Sequence, residues 1–305
     1  MGCHSASYLK NIVIIGLALY AVDYIGILKH WHEIDYVRYF YYPSGTTVDY
    51  NYSFINNASD KCGSAAPKLT IIIKSALANL GHRNVIRRTW GYEHRFSDVQ
   101  IRRIFLLGSS SDLSIQHIVA NESSNKKDIV QIDFLDVYFN NTIKTVMGMQ
   151  WALNYCANIS PNLYPRPNSN TYVAESLKDD LYAGFVLQTA PHRHKFSKWY
   201  VPLSEYPFNL WPPYVTAGAF ILNRNALMKL YKTAMHLKQF RFDDVFLGIA
   251  ALKSDLKLKH CDFFYFNRPK YKGPQSFQFV IASHGFQNDM ELEKIWNECR
   301  SSGFA

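Results

Sequence analysis

Two adjacent carboxylates, Asp243 and Asp244, stand just before an apolar run that begins at Val245. A carboxylate can act as a general base that takes the proton from an attacking hydroxyl, with a neighbouring carboxylate to orient it. Aspartate is also favoured at the start of a helix, where it accepts hydrogen bonds from unpaired backbone amides. Residue type and position alone favour the capping role, so a catalytic role for Asp244 needs further support.

Two arginines, Arg83 and Arg87, are four residues apart in a stretch with a helical pattern. This spacing places both guanidinium groups on one helix face, where they can reach the phosphates of a nucleoside diphosphate. Surface charge on an amphipathic helix explains the spacing equally well. The chain has 33 Lys plus Arg against 24 Asp plus Glu, a net charge of +9. No zinc-finger spacing or basic heptad region accompanies these charges, so we predict a phosphate-bearing small ligand rather than nucleic acid.

Ligands for a divalent metal ion are scarce in the sequence. Such an ion is normally held by oxygen ligands, yet no Asp-x-Asp triplet occurs anywhere in the chain. Asp179 and Asp180 are adjacent, and adjacent side chains of an extended strand face opposite sides, so we interpret them as a solvated turn. His284 is a candidate metal ligand, although a lone histidine is more often structural.

An apolar segment at residues 11–28 is interrupted by one charge, Asp23. A membrane-spanning helix needs about 20 mostly apolar residues, so this segment is short for that purpose. A cleaved signal peptide is the alternative, but no small-x-small cleavage site follows Leu28. We predict a cytoplasmic tail at residues 1–10, a transmembrane signal anchor at 11–28, a lumenal stem at 29–66 and an ordered domain at 67–305.

Glycosylation sequons and cysteines indicate that the part after residue 28 lies in the secretory lumen. Five Asn-x-Ser/Thr sequons follow the apolar segment and none precedes it: Asn51, Asn57, Asn121, Asn140 and Asn158. Four cysteines also follow it: Cys62, Cys156, Cys261 and Cys299. The lumen favours at least one disulfide, but four cysteines allow three pairings and the sequence does not choose among them.

Short apolar runs alternate with helical patterns after residue 67. The patterns predict strands at 69–73, 101–107, 129–134, 181–187 and 218–222, and helices at 83–90, 142–155, 226–237, 244–252 and 291–299. A loop with three prolines, residues 161–170, separates the two halves. Strands that alternate with helices are typical of parallel or mixed sheets with helical crossovers. The sequence therefore predicts an α/β domain with a mixed sheet flanked by helices.

Five sequence blocks, taken in order, resemble the β-1,3-galactosyltransferase and β-1,3-N-acetylglucosaminyltransferase family. They are RNVIRRTW at 83–90, RIFLLG at 103–108, DFLDVY at 133–138, the scattered matches between Lys198 and Gly218, and FDDVFLG at 242–248. A single block is a weak signal, whereas five in order are specific. The stretches at 211–220, 271–274, 281–284 and 296–300 look most like the brainiac-type branch, the N-acetylglucosaminyltransferases of glycolipid synthesis.

The resemblance implies a GT-A fold for residues 67–305, a UDP-sugar donor, a manganese ion, inversion at the anomeric carbon and a glycolipid or glycoprotein acceptor. It also implies a single-pass type II protein of the Golgi membrane with a lumenal catalytic domain. Asp244 becomes the candidate base and Asp243 its neighbour, while Arg83, Arg87 and Trp90 are assigned to the donor. Matching positions predicted to contact sugar are Trp199, Tyr200, Trp211, Tyr214 and Gly218.

One part of the family pattern is missing from this sequence. The family carries an Asp-rich metal motif after the helix predicted here at 142–155, whereas this chain runs into the proline-rich loop. Manganese is thus expected for the family, although its acidic ligands are absent here. Transfer of N-acetylglucosamine to a sugar 3-hydroxyl is the predicted function. The alternatives are galactose transfer and an inactive Golgi protein that binds glycans or a partner transferase.

Overall fold

A computed structural model describes residues 2–44, 50–63, 67–95, 99–156, 179–283, 285–286 and 288–304, with side chains from residue 10 onward. The chain forms two compact units. Unit 1 comprises residues 1–42 and 188–213, and unit 2 comprises residues 43–187 and 214–305. The predicted residues Asn158 and His284, and the proline-rich loop at 161–170, lie outside the described residues.

Unit 1 begins with a long helix, α1 (Gly2–Ile25), followed by a 3-10 turn (Ile27–His32) and the short helix α2 (Tyr36–Tyr39). Helix α1 covers most of the segment predicted as an anchor. It ends because Gly26 adopts a left-handed conformation, with φ of 86°. A Cβ atom on Gly26 would lie 2.5 Å from the carbonyl oxygen of Arg193, so only glycine permits this close approach.

Side chains and backbone of residues 29–42 pack onto the 188–213 segment within unit 1. The buried guanidinium of Arg193 donates to Glu33 at 2.7 Å, to the Val201 carbonyl at 2.9 Å and to the Phe208 carbonyl at 2.8 Å. The backbone of Ile34 also pairs with Phe208. This part of the predicted stem is therefore folded. Over the side chains that the structure describes, no helix combines the length and apolar character that a bilayer crossing requires.

Unit 2 is built around a four-stranded sheet. Its strands are β1 (Phe54–Asn56), β2 (Leu69–Lys74), β3 (Ile101–Ser109) and β4 (Ile129–Leu135), in the order β1-β4-β3-β2. Strands β2, β3 and β4 are parallel, and β1 pairs with β4 in the antiparallel sense. Strand β3 is almost completely buried, as expected for a central parallel strand covered on both faces.

Three helices flank this sheet: α3 (Leu80–Arg88), α4 (Leu113–Lys126) and α5 (Asn141–Tyr155). One apolar cluster joins α3, α4 and the sheet through side chains that are all buried: Leu77, Ile86, Phe105, Leu107, Val119 and Ile129. Helix α5 is buried over most of its length, and Gly148 allows the Leu106 side chain to pack directly on its backbone. Burial of apolar side chains at each connection stabilises the alternating arrangement that the sequence predicts.

The second half of unit 2 contains strands β5 (Tyr182–Leu187), β6 (Tyr214–Leu222) and β7 (Leu258–His260), in the order β6-β5-β7. Helices α6 (Arg224–Ala234) and α7 (Asp243–Lys253) lie between β6 and β7 in the chain. A two-stranded sheet, β8 (Phe264–Tyr265) with β9 (Ala282–Ser283), and helix α8 (Asp289–Ser301) follow. Mixed sheets flanked by helices confirm the predicted α/β class and fit a GT-A-like fold.

The ordered part of unit 2 starts earlier than the sequence suggests. Strand β1 belongs to the main sheet although it precedes residue 67, where the sequence predicts the start of the ordered domain. The short strands β1 and β7, with three residues each, carry too little periodic pattern to be recognised. Strand β6 begins at Tyr214 rather than at the predicted residue 218, because the aromatic, turn-like composition before it hides its first residues.

Cys62 and Cys156 form a disulfide, which links the segment after β1 to the end of α5 across 94 residues. Both half-cystines are buried, whereas Cys261 and Cys299 are free thiols. The structure thus selects one pairing among the three that the sequence allows.

We expect Cys62→Ser with Cys156→Ser to lower the free energy of unfolding by about 2 to 5 kcal/mol, because an open 94-residue loop gains conformational freedom in the unfolded chain. Denaturant unfolding of the secreted protein without reductant measures the change. Cys261→Ser is the matched control and should leave the midpoint nearly unchanged. Equal effects of both variants would contradict a stabilising disulfide at this position.

Candidate active site

Charged side chains meet at the carboxyl ends of the three parallel strands of unit 2. Lys74 is the last residue of β2, Gly108 is near the end of β3, and Asp136 follows β4 directly. Helix α5 adds Lys144 and Thr145, and the start of α7 adds Asp243 and Asp244. This edge is where open α/β sheets bind their ligands, because loops and helix starts surround it.

Asp243 is buried and held by two partners from distant parts of the chain. Its carboxylate forms an ion pair with Lys74 and accepts a hydrogen bond of 2.8 Å from the Thr145 hydroxyl. Burial raises the pKa of Asp243, but the Lys74 ammonium and the hydrogen bonds outweigh it, so the net pKa is lowered. Asp243 is therefore a fixed negative charge.

Asp244 has the opposite electrostatic character. The pKa of Asp244 is raised to about 6. Burial is the main cause, and the charge of the neighbouring Asp243 is the second. Hydrogen bonds from the backbone amides of Val245 and Ala217 act against this shift without cancelling it. Two adjacent carboxylates thus have pKa values pushed apart, which is the usual arrangement where one of them exchanges a proton with a substrate.

A second ion pair, between Lys144 and Asp136, lies at the same edge of the sheet. The Lys144 ammonium donates to Asp136 at 2.6 Å and to the Ser75 carbonyl at 3.0 Å, and the Gly108 amide donates to Asp136 at 3.0 Å. Burial lowers the pKa of Lys144, although the Asp136 carboxylate opposes this. Each of the four charges in the two pairs has an opposite partner, whereas Asp244 forms no ion pair with any residue that the structure describes.

The Tyr182 hydroxyl is a further polar group near the two aspartates. The side chain is completely buried, and its hydroxyl has no hydrogen-bond partner among the residues that the structure describes. Burial, followed by the charges of Asp244 and Asp243, raises the pKa of Tyr182 well above its ordinary value. A buried, unsatisfied hydroxyl is costly, and such groups concentrate at functional sites.

The geometry does not support a simple capping role for the aspartate pair. The residue before helix α7 is Phe242, which provides no side-chain cap. Asp243 directs its carboxylate to Lys74 and Thr145 rather than to helix amides. Asp244 accepts from the amide of the adjacent Val245 at 2.8 Å. The helix start still favours both negative charges through its dipole.

The described residues do not fit a divalent metal ion. Throughout the described ranges, no three His, Cys, Asp or Glu side chains come together as a metal-binding group. Asp243 and Asp136 already neutralise lysines, and Asp180 forms an ion pair with Lys229. No step through manganese is therefore derived from these side chains.

The residues predicted to bind the donor lie elsewhere in unit 2. Arg83 is fully buried and donates to Glu122, to the Ser75 hydroxyl and to the carbonyls of Ala76 and Leu77. Its position does not support contact with a diphosphate. Trp90 is partly buried and packs against the apolar cluster between α3 and the sheet.

Arg87 shares two buried carboxylates with its neighbours. It pairs with Asp128 and Glu122, both at 2.7 Å. Asp128 directly precedes β4, so Arg87 lies at the amino-terminal end of this strand. The ion-pair network still reaches the candidate site, because Arg83 shares Glu122 with Arg87 and donates to Ser75, the residue after Lys74.

The aromatic residues predicted to contact sugar differ in exposure. In unit 1, Trp211 is buried and packs on Tyr206 with ring centroids 4.1 Å apart. Trp199 is 44% exposed, with the Lys198 ammonium 4.4 Å from its ring centroid. Tyr200 is partly buried, and its backbone pairs with His192. Trp199 is thus the more exposed of the two tryptophans, with Lys198 and His192 beside its ring.

In unit 2, Tyr214 is buried at the start of β6, while Gly218 is exposed in the same strand. Gly218 follows Ala217, whose amide hydrogen-bonds to Asp244. Gly218 is therefore next in the chain to a residue that contacts the candidate base, whereas Tyr214 is buried.

The sequence did not single out Lys74 and gave no role to Asp136, Lys144 or Thr145. A lysine that ends an apolar strand, as Lys74 does in LTIIIK, is the signal that was available. A buried strand end has few reasons to carry a charge unless a carboxylate meets it there.

Comparison with known proteins shows the family to which this site belongs. Residues 81–262, more than half of the chain, match the family model described as Galactosyltransferase. The chain belongs to the galactosyltransferase family. The matched range includes the candidate site except Lys74 and Ser75, and the family resemblance of the five sequence blocks is confirmed.

Similar proteins extend the match beyond that range. The chain is 46% identical to β-1,3-galactosyltransferase brn of Drosophila melanogaster, over 99% of both chains. It is 30% identical to β-1,3-galactosyltransferase bre-5 of Caenorhabditis elegans, over 95% of this chain and 94% of the other. It is 32% identical to human β-1,3-galactosyltransferase 2, over 85% of this chain and 65% of the human protein.

The alignment with the Drosophila protein also reveals an internal difference. It extends over 324 positions, 19 more than the 305 residues of this chain. At least 19 positions of the alignment therefore have no counterpart here.

We expect Asp244→Asn to stabilise the fold above pH 6 by about 1 to 3 kcal/mol, since the buried carboxylate is charged there. The pKa of Asp244 is about 6 in the folded protein against an ordinary 3.8. Its favourable contribution to folding is therefore complete below about pH 4 and is lost as the pH rises through about 6.

Denaturant unfolding of both proteins at pH 4, 6 and 8 measures this effect. The difference between them should be small at pH 4 and largest at pH 8. Asp262→Asn is the control, because the Asp262 side chain is 91% exposed. A difference that does not change with pH would contradict the raised pKa of Asp244.

Proposed function

We propose that this chain is an inverting β-1,3-hexosyltransferase that uses a UDP-sugar donor. The observation that carries the proposal is Asp244, a partly buried carboxylate with a raised pKa at the carboxyl edge of the sheet, within the matched family range. The names of the related proteins, all β-1,3-galactosyltransferases, support the same reaction class.

In the proposed reaction, ionised Asp244 takes the proton from the 3-hydroxyl of the acceptor sugar. The hydroxyl oxygen attacks the anomeric carbon of the donor, a new glycosidic bond forms, and the bond to the diphosphate breaks with inversion. UDP leaves with the electron pair of that bond. Asp243 stays ionised through Lys74 and Thr145, and its charge increases the basicity of Asp244.

N-acetylglucosamine is the donor sugar that we propose, because the stretches at 211–220, 271–274 and 296–300 look most like the N-acetylglucosaminyltransferase branch. Galactose is the second candidate, favoured by the names of the similar proteins. Transfer rates with UDP-N-acetylglucosamine and UDP-galactose, measured on the same glycolipid acceptors, decide between them. A faster reaction with UDP-galactose would overturn the first choice.

We infer that the missing alignment positions include the metal motif that the family places after α5. Two observations support this: the 19 or more unmatched positions, and the lack of a fitting donor set among the described residues. The same observations favour the second candidate function, an inactive protein that binds glycans. Donor turnover with and without added Mn²⁺ separates the two, since a binding protein holds glycan without releasing UDP.

A Golgi location with a single-pass type II orientation is also proposed. Its support is helix α1, on which Ile12, Val13, Ile14, Ile15, Leu17 and Leu19 are each more than half exposed. Exposed apolar surface of this extent indicates a binding role for membrane or protein. Asn51 and Asn121 are exposed sequons, whereas Asn57 and Asn140 donate hydrogen bonds within the protein.

We expect the full chain, expressed in cells, to resist carbonate extraction and to lose mass on deglycosylation, with Asn121→Gln removing one glycan. Fractionation with a Golgi marker measures the location. Asn125→Gln, on the same helix but outside any sequon, is the matched control. A soluble protein without glycans would contradict the proposed orientation.

We expect Asp244→Asn to lower kcat by about 10²- to 10⁴-fold, because the base that takes the acceptor proton is lost. The parent enzyme should show kcat/KM rising with pH around an apparent pKa near 6. UDP release measures both, and Asp262→Asn is again the control. Near-normal turnover by the Asp244 variant would exclude it as the base.

A further inference from the structure

A basic depression lies beside the amino-terminal end of strand β4 and shares no lining residue with the candidate active site. Its volume is about 580 Å³, and its lining residues are Asn84, Arg87, Arg88, Tyr92, Lys126 and Arg300. Four of these six side chains are cations, and none is an acid. Asp128, the partner of Arg87, directly precedes β4.

The charges behind the depression do not balance. Three buried or nearly buried guanidinium groups, those of Arg83, Arg87 and Arg103, share two carboxylates, Glu122 and Asp128. One positive charge therefore remains uncompensated. Of the three guanidinium groups, that of Arg87 lines the depression, so the excess positive charge can act on a ligand bound there. A buried charge without a full counter-charge is unfavourable, and an anion bound at the depression would relieve it.

Two exposed cations add to this excess at the rim. Lys126 is the last residue of α4 and Arg300 lies in the last turn of α8, and neither forms an ion pair in the described structure. Arg88 is neutralised by Glu293. The ends of α3, α4 and α8 contribute partial negative charges of about half a unit each, which offset roughly half of the three excess positive charges. The depression remains positive.

The shape and one aromatic residue favour a particular kind of anion. Tyr92 is 43% exposed and belongs to the lining, so a ring face is available beside the cations. Aromatic faces pack against the C–H groups of sugar rings, while guanidinium and ammonium groups bind sulfate and carboxylate oxygens.

We propose that this depression is a second carbohydrate site, which binds an acidic or sulfated oligosaccharide through Arg87, Lys126 and Arg300 with Tyr92 against a sugar ring. The site is separate from the transfer reaction, and its ligand is recognised by charge as well as by ring packing. It would hold an anionic glycan chain beside the amino-terminal end of β4.

The full chain is titrated with a sulfated heparin-derived hexasaccharide, its desulfated equivalent and inorganic sulfate, by calorimetry at physiological salt. We expect the sulfated hexasaccharide to bind and the desulfated one to bind much more weakly. Lys126→Glu should raise the Kd for the sulfated hexasaccharide roughly tenfold, since one charge-assisted contact is replaced by repulsion. Tyr92→Ala should weaken hexasaccharide binding while leaving sulfate binding unchanged.

Lys257→Glu is the matched control, because it makes the same charge change at an exposed lysine outside the depression. It should leave the Kd within about twofold, as expected for a screened distant charge. An equal loss in both variants would show non-specific attraction and overturn the site, as would no binding of the sulfated hexasaccharide by the parent protein. Lys126-dependent binding to phosphatidylserine vesicles without hexasaccharide binding would instead identify a membrane surface.

Discussion

The burial of Asp243 between Lys74 and Thr145 is the interaction on which the candidate site depends. An ionised carboxylate can remain inside a protein only when opposite charge and hydrogen bonds replace the water that it has lost. That requirement brings together the end of β2, one face of α5 and the start of α7. Once Asp243 is fixed as a charge, the adjacent Asp244 must ionise beside it without a cation of its own. Its raised pKa follows from that placement.

The parallel sheet separates two clusters of charge. At the carboxyl edge, two lysines meet two aspartates, and one further aspartate is left to exchange a proton. At the amino edge, three arginines meet two carboxylates, and one positive charge is left over. Helix α3 connects the two regions, since Arg83 reaches Ser75 behind β2 while Arg87 reaches Asp128 before β4. The two edges therefore differ in the sign of the charge that they offer to a ligand.

The galactosyltransferase ancestry explains why a partly buried carboxylate with a raised pKa is retained despite its cost. A fold optimised for stability alone would replace Asp244 by a neutral residue, and active sites are the usual places where such a cost persists. The unmatched positions in the Drosophila alignment bear on the same question, because we propose that they include the Asp-rich metal motif. The acid–base part of the site and its supporting ion pairs are nevertheless present.

The sequence by itself determined the alternation of strands and helices, the α/β class and the importance of the Asp243–Asp244 pair. These features depend on local periodicity and on short contiguous motifs. Only the tertiary structure decided that Cys62 pairs with Cys156, that Arg83 is buried in an ion-pair network, and that Lys74 holds Asp243. Each of those outcomes depends on which distant residues meet across the sheet. The four-residue spacing of Arg83 and Arg87 fits a surface helix face, a ligand site or a buried ion-pair network equally well. The positions of their partners in the folded structure decide among these.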